Sequence, residues 1–486
     1  MSPAWLESAL HLAQGLSPVL ATLLHVAIAS AVTVHALLYK HEVHKAAGWI
    51  GLAWLAPFGG GLAYWVLGIN RIRRAGVGLG LKAAWRGEPG RVDAFAVADQ
   101  VGLPELAGIS RLTRHVTGKD LLAGNAVVPL HNGDGAYPAM LAAIDAAHGS
   151  ISLLTYIFNS DQAGNAFVAA LARAHSRGVQ IRVLVDAVGA RYRPTGVLRQ
   201  LRANGIPCAA FLPPRLTRLL AHGNLRNHRK IMVVDGRLGF TGGMNISASH
   251  WLSTQPARPV HCLHFAVRGP VVADMQRTFA TDWAFTTGEK LHGGLWFINS
   301  APCGPVLARG VTDGPDGDID HMRQVILGAL ATARRRVRIV TPYFLPDEVL
   351  LTTLRVTALR GVAVDIVLPG RSNLPLLDWA MRPQFAGLVA SGCRVHLSGP
   401  PFDHAKLFLI DDAWSLIGST NWDARSLRLN FEYNMECHDA DLVRRLDQLV
   451  DGRIHRAQLL TGDDLARQTM AGRLRDRLVW LLSPYL

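Results

Sequence analysis

The chain has 486 residues, is 49% hydrophobic, and carries 50 Lys and Arg against 36 Asp and Glu, a formal net charge of +14. That length supports a large core in two or three domains, and the charge points to an anionic partner, either nucleic acid or an anionic membrane surface. The mean hydropathy of +0.18 favours the membrane. Five cysteines (Cys208, Cys262, Cys303, Cys393 and Cys437) lie far apart with no CxxC pair, which excludes a disulfide framework and a zinc knuckle and suits a reducing compartment.

Ser8 to Tyr39 contains no Asp, Glu, Lys or Arg, and neither does Ala46 to Asn70. Either run exceeds the roughly 20 residues a helix needs to cross hydrocarbon. With the polar joint Lys40-His41-Glu42-Val43-His44-Lys45 between them, residues 1–75 are expected to form a transmembrane helical hairpin. No positive n-region precedes the first run, so a cleaved signal peptide is not expected. Pro57 and Gly59-Gly60-Gly61 interrupt the second run, which leaves a kinked or re-entrant span open there. Trp49, Trp54, Tyr64 and Trp65 suit an interfacial aromatic belt. Arg71, Arg73 and Arg74 outnumber Lys40 and Lys45 of the joint, which puts the body and both termini on the cytoplasmic side.

Residues 76–124 read as a linker with amphipathic pieces such as Ile109 to Arg114. A repeat follows. A helical pattern over Ala139 to Ala147 leads into the strand Ile151 to Phe158, a helix from about Ala163 to Ser176, and the strand Val179 to Val185. The same order returns as a helix near Ile326 to Arg334, the strand Val337 to Phe344, a helix from about Glu348 to Arg360, and the strand Val362 to Leu368. Strand, helix and strand with apolar runs predict an α/β fold of two pseudo-symmetric halves, 125–295 and 296–486, with parallel sheets covered on both faces.

Each half carries one copy of a motif. Asn227-His228-Arg229-Lys230 is followed by four apolar residues, Asp235, and Gly242-Gly243-Met244-Asn245. Asp403-His404-Ala405-Lys406 is followed by four apolar residues, Asp411, and Gly418-Ser419-Thr420-Asn421. With a strand period of two, His and Lys share a side. An imidazole beside an ammonium is a poor metal site, because the cation repels a second cation, but it is a good oxyanion site. The Lys neutralises phosphate, the His attacks phosphorus or moves a proton, and the Asn offers an amide donor. Two histidines meet the need of a double displacement for one nucleophile and one acid/base.

These residues resemble the phospholipase D superfamily, whose signature is the duplicated His-x-Lys-x4-Asp with a following Gly-Gly/Ser-x-Asn, over residues 125–486. The N-terminal hydrophobic hairpin, the wording Asn227-His228-Arg229-Lys230 and the terminal Leu482-Ser483-Pro484 are similar to the bacterial cardiolipin synthases within it. The resemblance implies a phosphatidyltransferase of the inner membrane that converts two phosphatidylglycerol molecules to cardiolipin and glycerol through a phosphatidyl-histidine, with no metal, cofactor or nucleic acid. A hydrolase releasing phosphatidic acid is the alternative. The implied catalytic set is His228, Lys230, Asp235, His404, Lys406 and Asp411, with Asn245, Ser419 and Asn421 on the phosphate. His228 is assigned as nucleophile and His404 as acid/base; the near symmetry of the motif leaves the reverse open. Asp235 and Asp411 end their strands and fit the fixing of a turn better than a chemical role.

The family adds a carboxylate to orient each histidine. Glu432 matches that position in the second half, and Cys262 stands at it in the first, so the His228 half is expected to be the weaker. Arg215, Arg218, Arg226 and Arg229 before the first motif, interleaved with leucines, suit either an anionic headgroup layer or a solvated face. Leu474, Leu478, Leu481 and Leu482 recur at helical spacing among Arg473, Arg475 and Arg477; an interfacial helix and docking on the core give the same pattern.

Overall fold

The computed structural model describes residues 4–40, 43–56, 58–68, 104–189, 196–213, 225–315 and 318–483, which fall into two compact units, Met1–Arg74 and Ala75–Leu486. In the first unit the helix Ala4–Tyr39 is followed by the helices Val43–Leu55 and Gly59–Ala63 and a π-helical turn, Tyr64–Gly68. Ala29, Val32 and Ala36 pack against Ala53 and Tyr64, and Trp54 donates to Thr33 Oγ1 at 3.0 Å. A hairpin is present, but its arms are unequal. Among the described residues, Pro18–Tyr39 is long and apolar enough to cross a membrane, while the second run offers the shorter apolar helix Ala46–Leu55. The expectation of two full spans is corrected to one candidate span. The break has a local cause: Phe58 is in the left-handed region at φ 58°, and a Cβ on Gly60 would lie 2.2 Å from Leu52 O, so the chain turns back onto its own helix there. Pro57 and Arg71, Arg73 and Arg74 lie outside the described residues.

The second unit opens with the helix Leu106–Thr117. Its Leu106 and Ile109 belong to the core of the second half, so this stretch is structural rather than a linker; residues 76–103 lie outside the described ones. The strands of the first half are β1 (Leu122–His131), β2 (Ser150–Thr155), β3 (Gln180–Asp186), β4 (Cys208–Phe211), β5 (Arg226–Asn227), β6 (Ile231–Val234), β7 (Leu238–Gly242), β8 (Val260–His261) and β9 (Leu263–Arg268). Those of the second are β10 (Val306–Asp313), β11 (Arg336–Val340), β12 (Phe344–Leu345), β13 (Ala363–Pro369), β14 (Arg394–Ser398), β15 (Phe402–Asp403), β16 (Leu407–Ile410), β17 (Trp414–Gly418), β18 (Trp422–Asp423), β19 (Asn430–His438) and β20 (Ala457–Leu459).

The sheet order shows the duplication. One half runs β1-β9-β7-β6-β2-β3-β4 and the other β10-β19-β17-β16-β11-β13-β14-β20, joined by an antiparallel pairing of β1 with β10. The sheets are mixed, not parallel as the strand-helix-strand pattern suggested. β2, β3 and β4 are parallel, but the motif strand β6 is antiparallel to β2 and to β7. The reason is the Asp-Gly turn after β6: Asp235 at φ 50° and Gly236 at φ 61° form a tight left-handed turn that returns the chain as a hairpin. Helices cover the sheet, and each half has its own apolar core.

Two further pairings cross between the halves. β5 runs parallel to the start of β19, with Phe431 opposite Asn227, and β15 runs parallel to β8, with Asp403 opposite His261. These bring the residues just before each motif histidine onto the opposite half.

The motif aspartates sit at the far end of β6 and β16, about 16 Å from the lysines at the strand rise of a sheet. Asp235 accepts from the backbone N–H groups of His148, Gly149 and Ser150. Asp411 accepts from those of Arg334, Arg335 and Arg336. Each fixes the entry to the neighbouring strand, β2 or β11, so their place in a catalytic set is corrected to a structural one. Asp411→Ala is expected to lower the unfolding free energy by about 2–4 kcal/mol, because three N–H groups lose a charged acceptor. Denaturant unfolding followed by fluorescence checks this; unchanged stability with lost turnover would contradict it.

Candidate active site

The His228 half is built by alternation. Along Asn227 to Lys230 the odd and even residues face opposite ways. Asn227 Nδ2 and Arg229 reach the same carboxylate, Asp282, at 2.8 Å and 2.6 Å. Arg229 is 3% exposed and also donates to Glu432 O at 3.0 Å. It is therefore an internal anchor and not part of a surface basic cluster; Arg215 and Arg218 lie outside the described residues. Asp186, a further buried acid, accepts from the N–H of Asn227 at 2.8 Å. His228 and Lys230 are left facing the site.

His228 N–H donates to Phe431 O at 2.9 Å and His404 N–H to His261 O at 2.7 Å. These bonds place the two imidazoles 6.5 Å apart, centroid to centroid, at an interplanar angle of 77°. That gap is about the width of one tetrahedral phosphate with a nitrogen approaching from either side. Each lysine is tied to the carbonyl of its own histidine: Lys230 Nζ donates to His228 O and Lys406 Nζ to His404 O at 2.6 Å. The Tyr156 ring stands 5.1 Å from His228, Tyr343 6.3 Å from His404, and the buried His250 6.5 Å from His404.

The carboxylate partner is reversed from expectation. Glu432 is fully buried and meets His228 Nδ1 at 3.0 Å, across the two halves, rather than His404 of its own half. His404 Nδ1 faces a backbone carbonyl, Gly243 O, at 3.0 Å. The strand exchange explains this. Residues 430–431 lie beside 226–227, so Glu432 falls next to His228. Residues 260–261 lie beside 402–403, so the Cys262 position falls on the His404 side. It is the His404 half that lacks a carboxylate. Gly243 fits that arrangement, since a Cβ there would lie 2.7 Å from His404 O and 3.0 Å from Cys262 Sγ.

Ser419, expected on phosphate, instead donates to Glu432 Oε2, and Asn430 Nδ2 donates to Glu432 Oε1 at 3.1 Å. Glu432 is thus held by two side chains besides His228. Asn245 and Asn421 also part company. Asn245 Oδ1 accepts from the Ile157 N–H at 3.2 Å, which leaves its Nδ2 for the site. Asn421 Nδ2 donates to Ser426 Oγ at 3.1 Å, and its Oδ1 is buried with no partner.

Burial dominates the electrostatics. It depresses His228 to about 4, with Glu432 opposing and Lys230 assisting. It holds His404 well below the ordinary imidazole range, with Lys406 and Lys230 adding to the effect. Burial also lowers Lys230 to about 7 and Lys406 to about 8, and pushes the Cys262 thiol up to about 12, so that thiol is protonated and inert at neutral pH. Burial would raise Glu432, but His228 and Lys230 hold it below the usual carboxylate range. Lowered proton affinities on two lysines and two histidines describe a pocket that awaits an anion.

Among the described residues no group of three His, Cys, Asp or Glu is placed to hold a metal ion. The chain matches the family model described as cardiolipin synthase, PLD-like domain, over residues 140–283 and 326–453. The chain belongs to the cardiolipin synthase PLD-like family. Among this family's curated members it is similar to cardiolipin synthase A of Pseudomonas putida, 35% identical over 75% of this chain and 76% of that one. It is also similar to the cardiolipin synthase of Geobacillus kaustophilus (strain HTA426), 30% identical over 79% of this chain and 77% of that one. Among solved structures, the phosphatidylserine synthase of Haemophilus influenzae Rd KW20 shares the fold, with TM-score 0.59 and 14% identity, covering 78% of this chain and 100% of that one.

Sequence reasoning missed Asp186, Asp282, Tyr156, Tyr343 and His250 around this family's paired motif. Tyr156 and Tyr343 lie just past the ends of β2 and β11, where the strand pattern stops, and with Thr155 aligned on Thr341 they are one position out of register. The other three carry no local signal. Replacing Glu432 by Gln is expected to lower turnover by about 10–100-fold, since a charge-assisted bond to the imidazolium becomes a neutral one. Cys262→Ala is expected to stay within about threefold, because its thiol is neutral and makes no bond to His404. Initial-rate measurements on both variants check the pair, and a large loss in Cys262→Ala would show a role for the thiol.

Proposed function

We propose that the protein is a membrane phosphatidyltransferase that makes cardiolipin from two molecules of phosphatidylglycerol by double displacement at the paired histidines. The observation that carries the assignment of roles is the single buried carboxylate. When an imidazole nitrogen bonds to phosphorus the ring becomes cationic and its other nitrogen keeps a proton. Only His228 has an anion, Glu432, positioned to accept that proton's hydrogen bond. His228 Nε2 therefore attacks the phosphorus of the first phosphatidylglycerol. The bond from phosphorus to the glycerol headgroup breaks, and His404 gives that oxygen its proton.

The second half-reaction reverses these roles. His404, now neutral, takes the proton from a headgroup hydroxyl of the second phosphatidylglycerol. The resulting oxygen attacks phosphorus, the phosphorus–nitrogen bond breaks, and cardiolipin leaves with His228 restored. His404, supported by the Gly243 carbonyl rather than a carboxylate, is the weaker base and the stronger acid, which suits proton donation to an alkoxide. Lys230 and Lys406 hold the phosphate oxygens and the charge that grows on them, with Asn245 supplying an amide donor. The apolar stretch Pro18–Tyr39 supports anchoring at the lipid that is both donor and acceptor. The basic residues that followed it in sequence favour a cytoplasmic body.

Purified protein in phosphatidylglycerol vesicles is expected to release glycerol and cardiolipin in equal amounts, and His228→Ala and His404→Ala are expected to abolish both. Phosphatidic acid without cardiolipin would replace this reading with the hydrolase. A phosphatidyl ester of nitrophenol, whose leaving group needs no proton, separates the histidines. His404→Asn should still release one nitrophenol per site and leave lipid bound to protein, while His228→Asn should do neither. The reverse outcome would exchange the roles.

The lysines set the pH dependence. A phosphodiester stays monoanionic throughout, so its affinity follows protonated Lys230 and Lys406, lowered to about 7 and about 8. Binding favours the protonated forms, and KM for phosphatidylglycerol is therefore expected to be flat below about 7 and to rise tenfold per unit once a lysine has lost its proton. Lys230→Gln should remove the lower of the two breaks; a KM independent of pH up to 9 would refute the link.

A further inference from the structure

The C-terminal helix Met470–Trp480 is packed the wrong way round for a helix in water. Its one buried residue is Asp476, which accepts from Gln468 Nε2 at 2.5 Å and Arg475 Nε at 2.8 Å and lies 3.8 Å from Arg382 on the helix Pro375–Ala390. Its leucines do not dock on the core. Met470 is 77% exposed, Leu474 60%, Leu478 57% and, just past the helix, Leu481 64%. Of the two readings the sequence allowed, docking of the leucine stripe onto the core of this unit does not hold among the described residues.

At about 100° per residue, Met470, Leu474, Leu478, Leu481 and Leu482 share an arc of about 120°. Arg473 and Arg477 border one edge of that arc and Arg475 the other, while Asp476 and Val479 lie opposite. An apolar arc between arginines, held to the protein by its polar back, matches the water–lipid boundary. Leucines enter the acyl layer, and guanidiniums stay at the level of the phosphates. Arg475 is set in place over the Trp379 ring at 4.4 Å, and Arg473 donates to the carbonyls of Gln468 and Ala466. Both are therefore fixed beside the stripe rather than free to swing away.

We propose that this helix docks the second half onto an anionic bilayer surface, as a contact separate from the N-terminal apolar helix. The net charge of +14 draws the protein to an anionic leaflet, and the arginine border selects that leaflet over a neutral one. Leu374 and Leu376, 42% and 48% exposed, stand at the start of the helix on which the C-terminal helix packs. Their neighbour Asn373 accepts from Tyr343 OH at 2.6 Å, which links this surface to the His404 side of the site.

The test uses the full chain in nanodiscs, with an environment-sensitive fluorophore on Leu478→Cys in a Cys303→Ser background, since Cys303 is the exposed native thiol. In discs containing phosphatidylglycerol the emission is expected to shift to the blue and to be quenched about twofold by spin-labelled acyl chains. In phosphatidylcholine discs the effect should be weaker, and the pair Arg473→Gln and Arg477→Gln should remove the difference. A label that remains in water in both lipids overturns the proposal. So does one shielded without quenching, which would place the N-terminal unit over the stripe, or one that cross-links to a second copy. Because the readout is lipid contact, it is independent of which lipid the active site converts.

Discussion

Two backbone hydrogen bonds organise the candidate active site: His228 N–H to Phe431 O and His404 N–H to His261 O. Each closes a two-residue parallel pairing between one half and the other. Without them the duplicated motifs would be two separate strands, each with an imidazole and an ammonium and neither able to support a double displacement. With them the imidazoles stand 6.5 Å apart and each half finishes the other's site. The cores of the halves are distinct, so the active centre is the place where the duplication becomes an obligate unit. The buried ion pair of Arg229 with Asp282 stiffens the same segment from behind. A mobile His228 would lose the preorganisation that makes a short-range attack effective.

The exchange of strands also decides which half bears the chain's departure from its family pattern. Ser419 and Glu432 form one hydrogen-bonded couple behind His228; Gly243 and Cys262 stand in the corresponding places behind His404. The two departures belong together. A serine at 243 would meet His404 O and Cys262 Sγ, and an acid at 262 would lose the hydroxyl that holds its counterpart Glu432. Along the chain, Cys262 falls in the half of His228, where it would weaken the proposed nucleophile. Across the fold it stands beside His404 and leaves the proposed nucleophile, His228, with its carboxylate. A general acid tolerates the loss better, because a weaker base gives up its proton more readily.

The motif pairs, the turn role of Asp235 and Asp411, and the order of strands and helices within each half all follow from short-range patterns, and those were legible. What was not legible depended on pairings of only two residues, β5 with β19 and β15 with β8, which leave no periodicity. Parallel sheets were inferred from strand-helix-strand units, but the motif strands form hairpins through the left-handed Asp235 and Asp411, and the sheets came out mixed. The second apolar run satisfied a length criterion that ignores breaks, and the backbone at Phe58 and Gly60 divides it. Ser419 looked like a phosphate ligand because a hydroxyl near a histidine suits that role as well as it suits supporting Glu432.

The charge inventory of the pocket makes the missing carboxylate intelligible. Lys230 and Lys406 together supply two positive charges when protonated, Glu432 supplies one negative charge, and a bound phosphodiester supplies another, so these four balance and the remaining charge is the proton that His404 carries for the leaving oxygen. A second carboxylate beside His404 would hold that proton by a charge-assisted bond and make the imidazolium a weaker acid toward the leaving oxygen. In the proposed attack by His228, a further negative charge gathers on the phosphate oxygens while the imidazole becomes cationic, so the two new charges balance within a few ångströms. The two lysines, held low by burial in the empty pocket, regain their protons when the anion arrives. The pocket therefore discriminates by charge before it discriminates by shape, because an uncharged ester would not offset the cost of keeping two buried ammoniums.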